Sequence, residues 1–251
     1  FLEINDGSCL SNLQVIIVKE TSGYDFLNEV NTGSAITVVG DLVESPGKEQ
    51  RWEITAKKLS VVGSCDADFP LQKKRHSDEF LRTIAHLRPR TNKFGAMARI
   101  RSRTSWAIHQ FFQDRDFHLV HTPIITGSDC EGAGEMFKVV VERNGLNEAL
   151  VPEEGFFGKD AFLTVSGQLS VETYCQALGK VYTFGPTFRS ENSNTARHMA
   201  EFWMVEPEIA FANISDDMNL AEDFVKSLTK SALERSEEDL TLFARYVDKN
   251  L

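Results

Sequence analysis

The chain has 251 residues, a length that allows two domains, one of them small. With 41% hydrophobic and 25% charged residues it has the composition of an ordinary globular protein, and no apolar run is long enough to cross a bilayer. The formal net charge of −10 argues against a protein that holds nucleic acid by bulk electrostatics. A nucleic acid partner would therefore have to be met by local basic patches.

The four cysteines are scattered along the chain and form no CxxC pair. This spacing is typical of reduced thiols in a cytosolic protein, and not of a disulfide framework or a zinc site. Because no signal peptide opens the sequence either, we expect a cytoplasmic protein, and we predict no metal ligands among the residues given.

Residues 1–63 are predicted to form short strands joined by turns. The segments FLEIND, LQVIIV, SAITVVGDLV and RWEITAKKLSVVG are separated by Asn, Gly, Ser and Pro. An all-β module of this size is most often an OB-type barrel or a small sandwich. The sequence starts inside a strand at Phe1, so we expect the first part of this module to be missing.

Residues 64–90 are polar and charged, and Pro70 and Pro89 interrupt them. We predict a hinge with one short helix. The basic run of Lys73, Lys74 and Arg75 could touch an RNA backbone, but a solvated run is an equal alternative.

A long helix is predicted from about Lys93 to Gln113, with Thr91 or Asn92 as its cap. Its apolar residues recur at helical spacing, namely Phe94, Met97, Ala98, Ile108, Phe111 and Phe112. The segment FHLVHTPIIT that follows is predicted to be one strand with Pro123 inside it.

Glycines surround Glu131 in the segment SDCEGAGEMFKV, which indicates either a loop that closes over a small substrate or a solvated turn. The later segment FLTVSGQLSVETYCQALGKVYTFGP predicts strand, helix and strand. Ser166 is expected to cap this helix, Gln168 lies in its first turn, and Gly179 is expected to end it.

Two more helices are predicted for the C-terminal part. The first begins near Ser215 and carries Asp216 and Asp217 in its first turn. Its amphipathic pattern consists of Ala221, Phe224, Val225, Leu228 and Ala232. The second begins at Ser236 and runs to the end of the sequence.

The stretch FRSENSNTARHMAEFWMVEPEIAF predicts a β-hairpin with a polar loop. On its second strand, a period of two gives a mixed face of Phe202, Met204, Glu206 and Glu208. The opposite face is apolar and should pack on helices; it consists of Trp203, Val205, Ile209 and Phe211. Because Pro207 cannot donate to a ladder, we expect a bulge or a locally unpaired position there.

The mixed face favours a binding site, because a protein core would reject two carboxylates. The alternative is an exposed hairpin whose charges are merely solvated. A solvated face, however, seldom carries Phe202 and Met204 between its charges.

At FRSE, RH and EFWMVEPE the sequence resembles motif 2 of the class II aminoacyl-tRNA synthetases. In detail it resembles the asparaginyl-tRNA synthetases of the aspartate, asparagine and lysine subgroup. The long helix and the proline-containing strand resemble motif 1, the family's dimer element. Residues 1–63 resemble the subgroup's anticodon-binding OB domain.

This resemblance covers the sequence from end to end and implies an α+β fold. An OB-type β-barrel would occupy residues 1–63 and a hinge residues 64–90. Residues 91–251 would form the N-terminal portion of a class II catalytic domain, an antiparallel sheet flanked by helices, and would end before the family's third motif.

The resemblance also implies roles for individual residues. Those that would bind ATP are Arg189, Glu191, Arg197, His198 and Phe202. Those that would bind the amino acid are Glu131, Gln168, Arg189 and Glu206. In the anticodon module, Phe1 would stack on a base and Gln14 would hydrogen-bond it.

Arg189 is the residue that would be catalytic, because its planar fork can bridge an α-phosphate and the attacking carboxylate. Two of these roles have structural alternatives. Phe1 could simply pack the barrel, and Glu206 could form an ion pair with an arginine such as Arg189.

The partners that the resemblance implies are asparagine, ATP, tRNA(Asn) and a second copy of the chain in a homodimer. The family's third motif and its magnesium ligands do not occur up to Leu251, so we expect them beyond it and expect the 251 residues alone to be inactive. The nearest alternative is an aspartate–tRNA ligase. Others are a non-catalytic paralogue that binds tRNA or protein, and an ammonia-dependent asparagine synthetase, a family that lacks the N-terminal β module.

Overall fold

The computed structural model describes residues 1–47, 50–130, 132, 135–140, 156–193, 195 and 197–249. It confirms the α+β class. The chain divides into two compact units: residues 1–104 with 230–251, and residues 105–229. In the described parts of the chain, no helix is long and apolar enough to cross a membrane.

The first unit contains a four-stranded sheet, and all four strands were predicted. They are β1 (Leu2–Ile4), β2 (Leu13–Ile16), β3 (Ala35–Glu44) and β4 (Trp52–Gly63). Their order is β1-β2-β4-β3, with β2 and β4 parallel and the other two pairs antiparallel. Val15, Ala56 and Leu59 are buried and form the apolar side of this sheet.

A register shift between Val39 and Gly40 interrupts the long β3–β4 ladder. A Cβ atom built on Gly40 would lie 2.2 Å from the carbonyl oxygen of Thr55. Only glycine therefore allows the two strands to approach this closely at the irregularity.

The predicted hinge contains the one short α-helix expected there, α1 (Asp78–Thr83), whose N-cap Ser77 accepts from the Phe80 amide at 3.2 Å. A 3₁₀ turn follows at Arg88–Arg90. The long helix α2 (Asn92–Gln113) begins within one residue of its predicted start and ends where predicted.

The second unit is built around a three-stranded sheet of β5 (His118–Leu119), β8 (Lys180–Phe188) and β9 (Glu201–Ile209), in the order β5-β8-β9. Strand β8 pairs parallel with β5 and antiparallel with β9. A separate ladder joins β6 (Ile125–Thr126) and β7 (Phe162–Leu163). The single strand predicted through Pro123 is therefore wrong, because the chain leaves one sheet before the proline and enters another after it.

Three helices complete the fold: α3 (Gln168–Leu178), α4 (Ile214–Arg235) and α5 (Glu237–Tyr246). Gly179 ends α3 with a φ of 82°, as predicted. The N-cap of α3 is Gly167 and not Ser166, although the Ser166 hydroxyl still accepts from the Gln168 amide at 3.1 Å. Helix α5 ends at Tyr246 and does not run to the end of the sequence.

An aromatic core joins the end of α2 to one face of the β8–β9 hairpin. Its buried members are Ile108, Phe111, Phe112, Phe117 and Tyr182, and partly buried residues that include Val205, Ile209, Phe224 and Leu228 pack against them. The Phe112 and Tyr182 rings stack with centroids 4.5 Å apart. The prediction that the apolar face of β9 packs on helices is thus confirmed for Val205 and Ile209.

Some residues predicted to be apolar contacts are exposed. Phe211 follows β9 in a turn with a φ of 64° and is fully exposed, because the strand ends before it. Trp203 is half-exposed, and its ring packs edge-on against that of Phe184. Four helical positions are also exposed, namely Met97, Ala98, Ala221 and Val225.

The bulge predicted at Pro207 is wrong. Pro207 pairs with Tyr182 in a register that runs without a shift from Lys180↔Ile209 to Phe188↔Glu201. Among the described residues β9 is an edge strand, and there the missing N–H of proline need not interrupt the ladder.

A buried carboxylate links α5 to α2 in the first unit. Asp239 is 2% exposed and accepts from Arg99 Nη2 at 2.7 Å and from Arg103 Nη1 at 3.2 Å. Arg99 also donates to the Gly7 carbonyl at 3.1 Å, so it ties the loop after β1 to the same group. The hydrogen bonds to Asp239 raise the pKa of Arg99.

We expect Asp239→Asn to lower the free energy of unfolding by roughly 3–5 kcal/mol, because it leaves two arginines facing a neutral amide in a buried site. Urea denaturation measures this loss. The matched control is Asp41→Asn, which breaks an exposed pair with Lys57 and should change stability by at most about 1 kcal/mol. Equal losses of unfolding free energy for the two substitutions would contradict the prediction that burial makes the Asp239 interaction the stronger one.

Candidate active site

The candidate site lies on the face of the β8–β9 hairpin opposite the aromatic core. Cross-strand partners alternate along this ladder, so those of one face are Val181↔Glu208, Thr183↔Glu206, Gly185↔Met204 and Thr187↔Phe202. Gly185 leaves open space between the two ends, since a Cβ atom built there meets nothing within 4 Å among the described residues. The face therefore offers an aromatic ring at one end and a carboxylate at the other.

Glu206 is held by three donors from two elements. Its Oε1 accepts from the Ser166 hydroxyl, and its Oε2 accepts from the Gly167 amide at 3.2 Å and the Thr183 hydroxyl at 2.8 Å. Ser166 and Gly167 immediately precede α3, whereas Thr183 lies on β8. The ion pair with Arg189 considered from the sequence is not formed, because within the described parts of the chain none of the partners of Glu206 is an arginine.

Glu208 lies two residues further along the same face and has a different environment. Burial raises its pKa above the ordinary value of 4.5, and the charges of Glu172, Glu206 and Asp217 raise it further. Gln168, in the first turn of α3 as predicted, donates to Glu172 Oε1 at 3.0 Å. This end of the site is consequently strongly acidic.

At the other end, the Arg189 guanidinium carbon lies 5.5 Å from the centroid of the Phe202 ring. The Arg189 amide donates to the Ala200 carbonyl at 3.0 Å, which extends the hairpin pairing beyond β8. The structure thus brings together two of the residues predicted to bind ATP.

The remaining predicted ATP ligands lie in the loop between β8 and β9. Glu191, Arg197 and His198 are exposed, and the His198 ring contacts the Thr195 hydroxyl. Glu131 lies outside the described residues. The nearby Glu135 carbonyl accepts from the Ser190 amide at 3.2 Å, a contact that connects this part of the chain to the end of β8.

In the first unit, Phe1 is 88% exposed. Gln14 is half-buried on β2 and donates to Glu53 Oε2 at 3.2 Å, and Ser45 donates to the same oxygen at 3.0 Å. Glu53 is 4% exposed and was not singled out from the sequence. The available signal was an acidic residue between two apolar ones in the strand WEITA.

A family model described as "tRNA synthetases class II (D, K and N)" matches residues 77–249. The chain belongs to this family. The resemblance seen in the hairpin and in the long helix is thereby confirmed at the level of the class II synthetases of this group.

Curated relatives of this class II group match over the whole chain. The chain is 59% identical over 256 residues to an asparagine–tRNA ligase of Oleidesulfovibrio alaskensis and 57% identical over 258 residues to one of Nitratidesulfovibrio vulgaris. It spans 56% of the length of each, about half of these proteins.

Solved class II synthetases share the fold. The asparaginyl-tRNA synthetase of Pyrococcus horikoshii, complexed with asparaginyl-adenylate, aligns with a TM-score of 0.82 and 26% identity over 97% of this chain and 53% of that one. The enzyme of Entamoeba histolytica aligns with a TM-score of 0.80 and 22% identity over 98% of this chain and 54% of its own, and shows the fold alone.

The raised pKa of Glu208 predicts that ionisation of this side chain lowers the stability of the fold as the pH rises. A carboxyl group whose pKa rises on folding stabilises the fold fully below its ordinary pKa, and this stabilisation is lost as the pH rises through the folded value. Glu208→Gln should therefore gain stability relative to wild type as the pH rises above about 4.5, measured by urea denaturation from pH 4 to 8.

The control is Glu222→Gln, for which the stability difference from wild type should change with pH in the opposite direction. The hydrogen bond from Lys226 lowers the pKa of Glu222, so its stabilisation is lost as the pH falls. A stability difference for Glu208→Gln that did not change with pH would contradict the burial of its charge.

Proposed function

We propose that the full-length protein is an asparagine–tRNA ligase. It would activate asparagine with ATP to asparaginyl-adenylate and pyrophosphate, and then transfer the aminoacyl group to tRNA(Asn). The observation that carries this proposal is the placement of Glu206, held at one end of the hairpin face while Arg189 and Phe202 lie at the other. The identity to asparagine–tRNA ligases along the whole chain supports it.

Catalysis of adenylate formation depends mainly on positioning the two reactants and on stabilising the charge that develops between them. The carboxylate oxygen of the amino acid attacks the α-phosphorus of ATP, and the bond to pyrophosphate breaks. Arg189 would bridge the attacking carboxylate and the α-phosphate through its planar fork, and it would stabilise the charge on the phosphorus oxygens. Arg197 and His198, on the exposed loop, would contact the outer phosphates, and Glu191 would accept from the adenine amine or the tRNA end.

Phe202 would offer its ring to adenine, and Glu206 would read the side chain of the amino acid. The two lie four residues apart on β9, about 13 Å along the strand. That distance matches the span from a base to the side-chain end of an aminoacyl group. An ionised carboxylate accepts hydrogen bonds only, so it would accept from the amide nitrogen of asparagine. Gln168 and Glu131 would hold the backbone part of the amino acid.

Aspartate is disfavoured by the charges around this position. A second carboxylate beside Glu206 would meet Glu208 and Glu172 as well, and like charges in a partly desolvated pocket repel. The acidic end of the site therefore favours the asparagine enzyme over the aspartate alternative.

The first unit would bind the anticodon. The exposed ring of Phe1 would stack on a base, and the carbonyl oxygen of Gln14 would be available to a base, since its amide group donates to Glu53. The boundaries proposed for this module and the hinge are residues 1–63 and 64–90. A homodimer through α2 is also part of the proposal, since two-fold dimers are the commonest closed assembly.

A magnesium ion would bind together with ATP. In the parts of the chain that the structure describes, no group of three or more His, Cys, Asp or Glu side chains is placed to hold a metal.

Asparagine-dependent exchange of labelled pyrophosphate into ATP tests the proposal in the full-length protein. We expect a kcat/KM for aspartate at least about a hundredfold lower than for asparagine, because aspartate offers no donor to Glu206. Glu206→Gln should lose this discrimination more than it loses ATP binding. A preference for aspartate would identify the aspartate enzyme, and exchange with neither amino acid would identify a non-catalytic paralogue.

Arg189→Ala should lower kcat for exchange by about 100- to 1,000-fold, the usual cost of one well-placed charge-stabilising donor. The matched variant is Phe1→Ala, in the other unit. It should leave exchange unchanged and weaken tRNA charging by roughly 1–3 kcal/mol, as for one stacked base. If both variants lost exchange equally, the assignment of separate tasks to the two units would be wrong.

A further inference from the structure

We propose that the hydroxyl groups of Thr183 and Ser166 position the Glu206 carboxylate. In this position, one acceptor site on Oε1 stays open and accepts a hydrogen bond from the side-chain amide of asparagine. This inference rests on the proposed function. It adds two specificity-determining residues that act through Glu206 and touch neither ATP nor the reacting atoms.

Both hydroxyl groups belong to buried residues. Thr183 is 3% exposed and Ser166 is 6% exposed. They belong to different elements, since Thr183 lies on β8 directly opposite Glu206 and Ser166 precedes α3. The carboxylate therefore accepts hydrogen bonds at both oxygens from two different elements, and it cannot rotate without breaking one of them.

The three donors use the two oxygens unequally. Oε2 receives two hydrogen bonds, from Gly167 and Thr183, whereas Oε1 receives one, from Ser166. A carboxylate offers about two acceptor positions on each oxygen. Within the described residues the remaining position lies on Oε1, and it can accept one N–H from a ligand.

The direction of the Ser166 hydroxyl is fixed by its other contact. Ser166 Oγ accepts from the Gln168 amide at 3.1 Å and donates to Glu206. Thr183 likewise donates to Glu206. Both hydroxyl hydrogens therefore point toward Glu206 and are not directed at a ligand.

This arrangement discriminates between the two amino acids by chemistry and not by size. Asparagine brings the amide N–H that the vacant position on Oε1 requires. Aspartate brings a second acceptor in place of this N–H, at a position where the hydroxyls of Ser166 and Thr183 already donate to Glu206, and an unpaired buried acceptor is costly. Glu208 and Glu172 increase this cost through their charge.

The test is Thr183→Val in the full-length protein, which removes the hydroxyl and keeps the branched shape. We expect KM for asparagine in pyrophosphate exchange to rise roughly tenfold or more, the effect of losing a hydrogen bond to a charged group. The ratio of kcat/KM for asparagine to that for aspartate should fall, and KM for ATP should stay unchanged. Thr183→Ser, which restores the hydroxyl, should recover the asparagine KM.

The matched control is Thr187→Val. Thr187 lies on the same strand and face, is 2% exposed, and donates to the Phe202 carbonyl at 3.1 Å. It tests the loss of a buried hydroxyl that does not contact Glu206, so the ratio between asparagine and aspartate should be the same as in wild type.

Three outcomes would overturn the inference while leaving the proposed function intact. One is a Thr183→Val enzyme with wild-type discrimination, and another is equal impairment of Thr183→Val and Thr183→Ser. The third is a loss of discrimination in Thr187→Val as large as in Thr183→Val. Failure of the wild-type protein to exchange pyrophosphate with asparagine would instead refute the proposed function itself.

Discussion

The continuous pairing of β8 with β9 is the constraint on which the second unit depends. Nine residue pairs run without a register shift from Lys180↔Ile209 to Phe188↔Glu201. Because side chains alternate, this register turns Tyr182 and Val205 toward the aromatic core and turns Thr183 and Glu206 the other way. A slip by one residue would bury Glu206 in the core and expose Val205, so packing on one face fixes the geometry of the other.

The buried carboxylate of Asp239 and the half-buried carboxylates of Glu206 and Glu208 differ in how their charge is compensated. Asp239 has two arginines, and Glu206 has two hydroxyls and an amide, so both have partners for the charged form. Glu208 has acidic neighbours and a raised pKa. Compensation by neutral donors leaves the negative charge of Glu206 available to a ligand, whereas the arginines neutralise that of Asp239. This difference matches a candidate binding site in the second unit and a structural tie in the first.

Regular elements were predictable from the sequence because their signals are local. Alternation located the strands of the first sheet, and helical spacing with a cap located α2. The errors arose where tertiary context decided: Pro207 fits an edge strand without a bulge, and the chain changes sheets around Pro123. Likewise, the exposure of Phe211 depends on where β9 ends and not on its own apolar character.

Only the part of the candidate site that lies on β9 was predictable from the sequence. The hairpin pattern identified Phe202 and Glu206, but Thr183 and Ser166 lie 23 and 40 residues from Glu206 in the sequence. A serine before a helix predicts a cap, and here the same hydroxyl also donates to a carboxylate on a distant strand. Sequences that specify a fold are locally consistent, and departures from that consistency concentrate at functional sites. Two glutamates on a half-buried strand face are such a departure, and the hydroxyls that compensate one of them become visible only once β8, β9 and α3 are placed together.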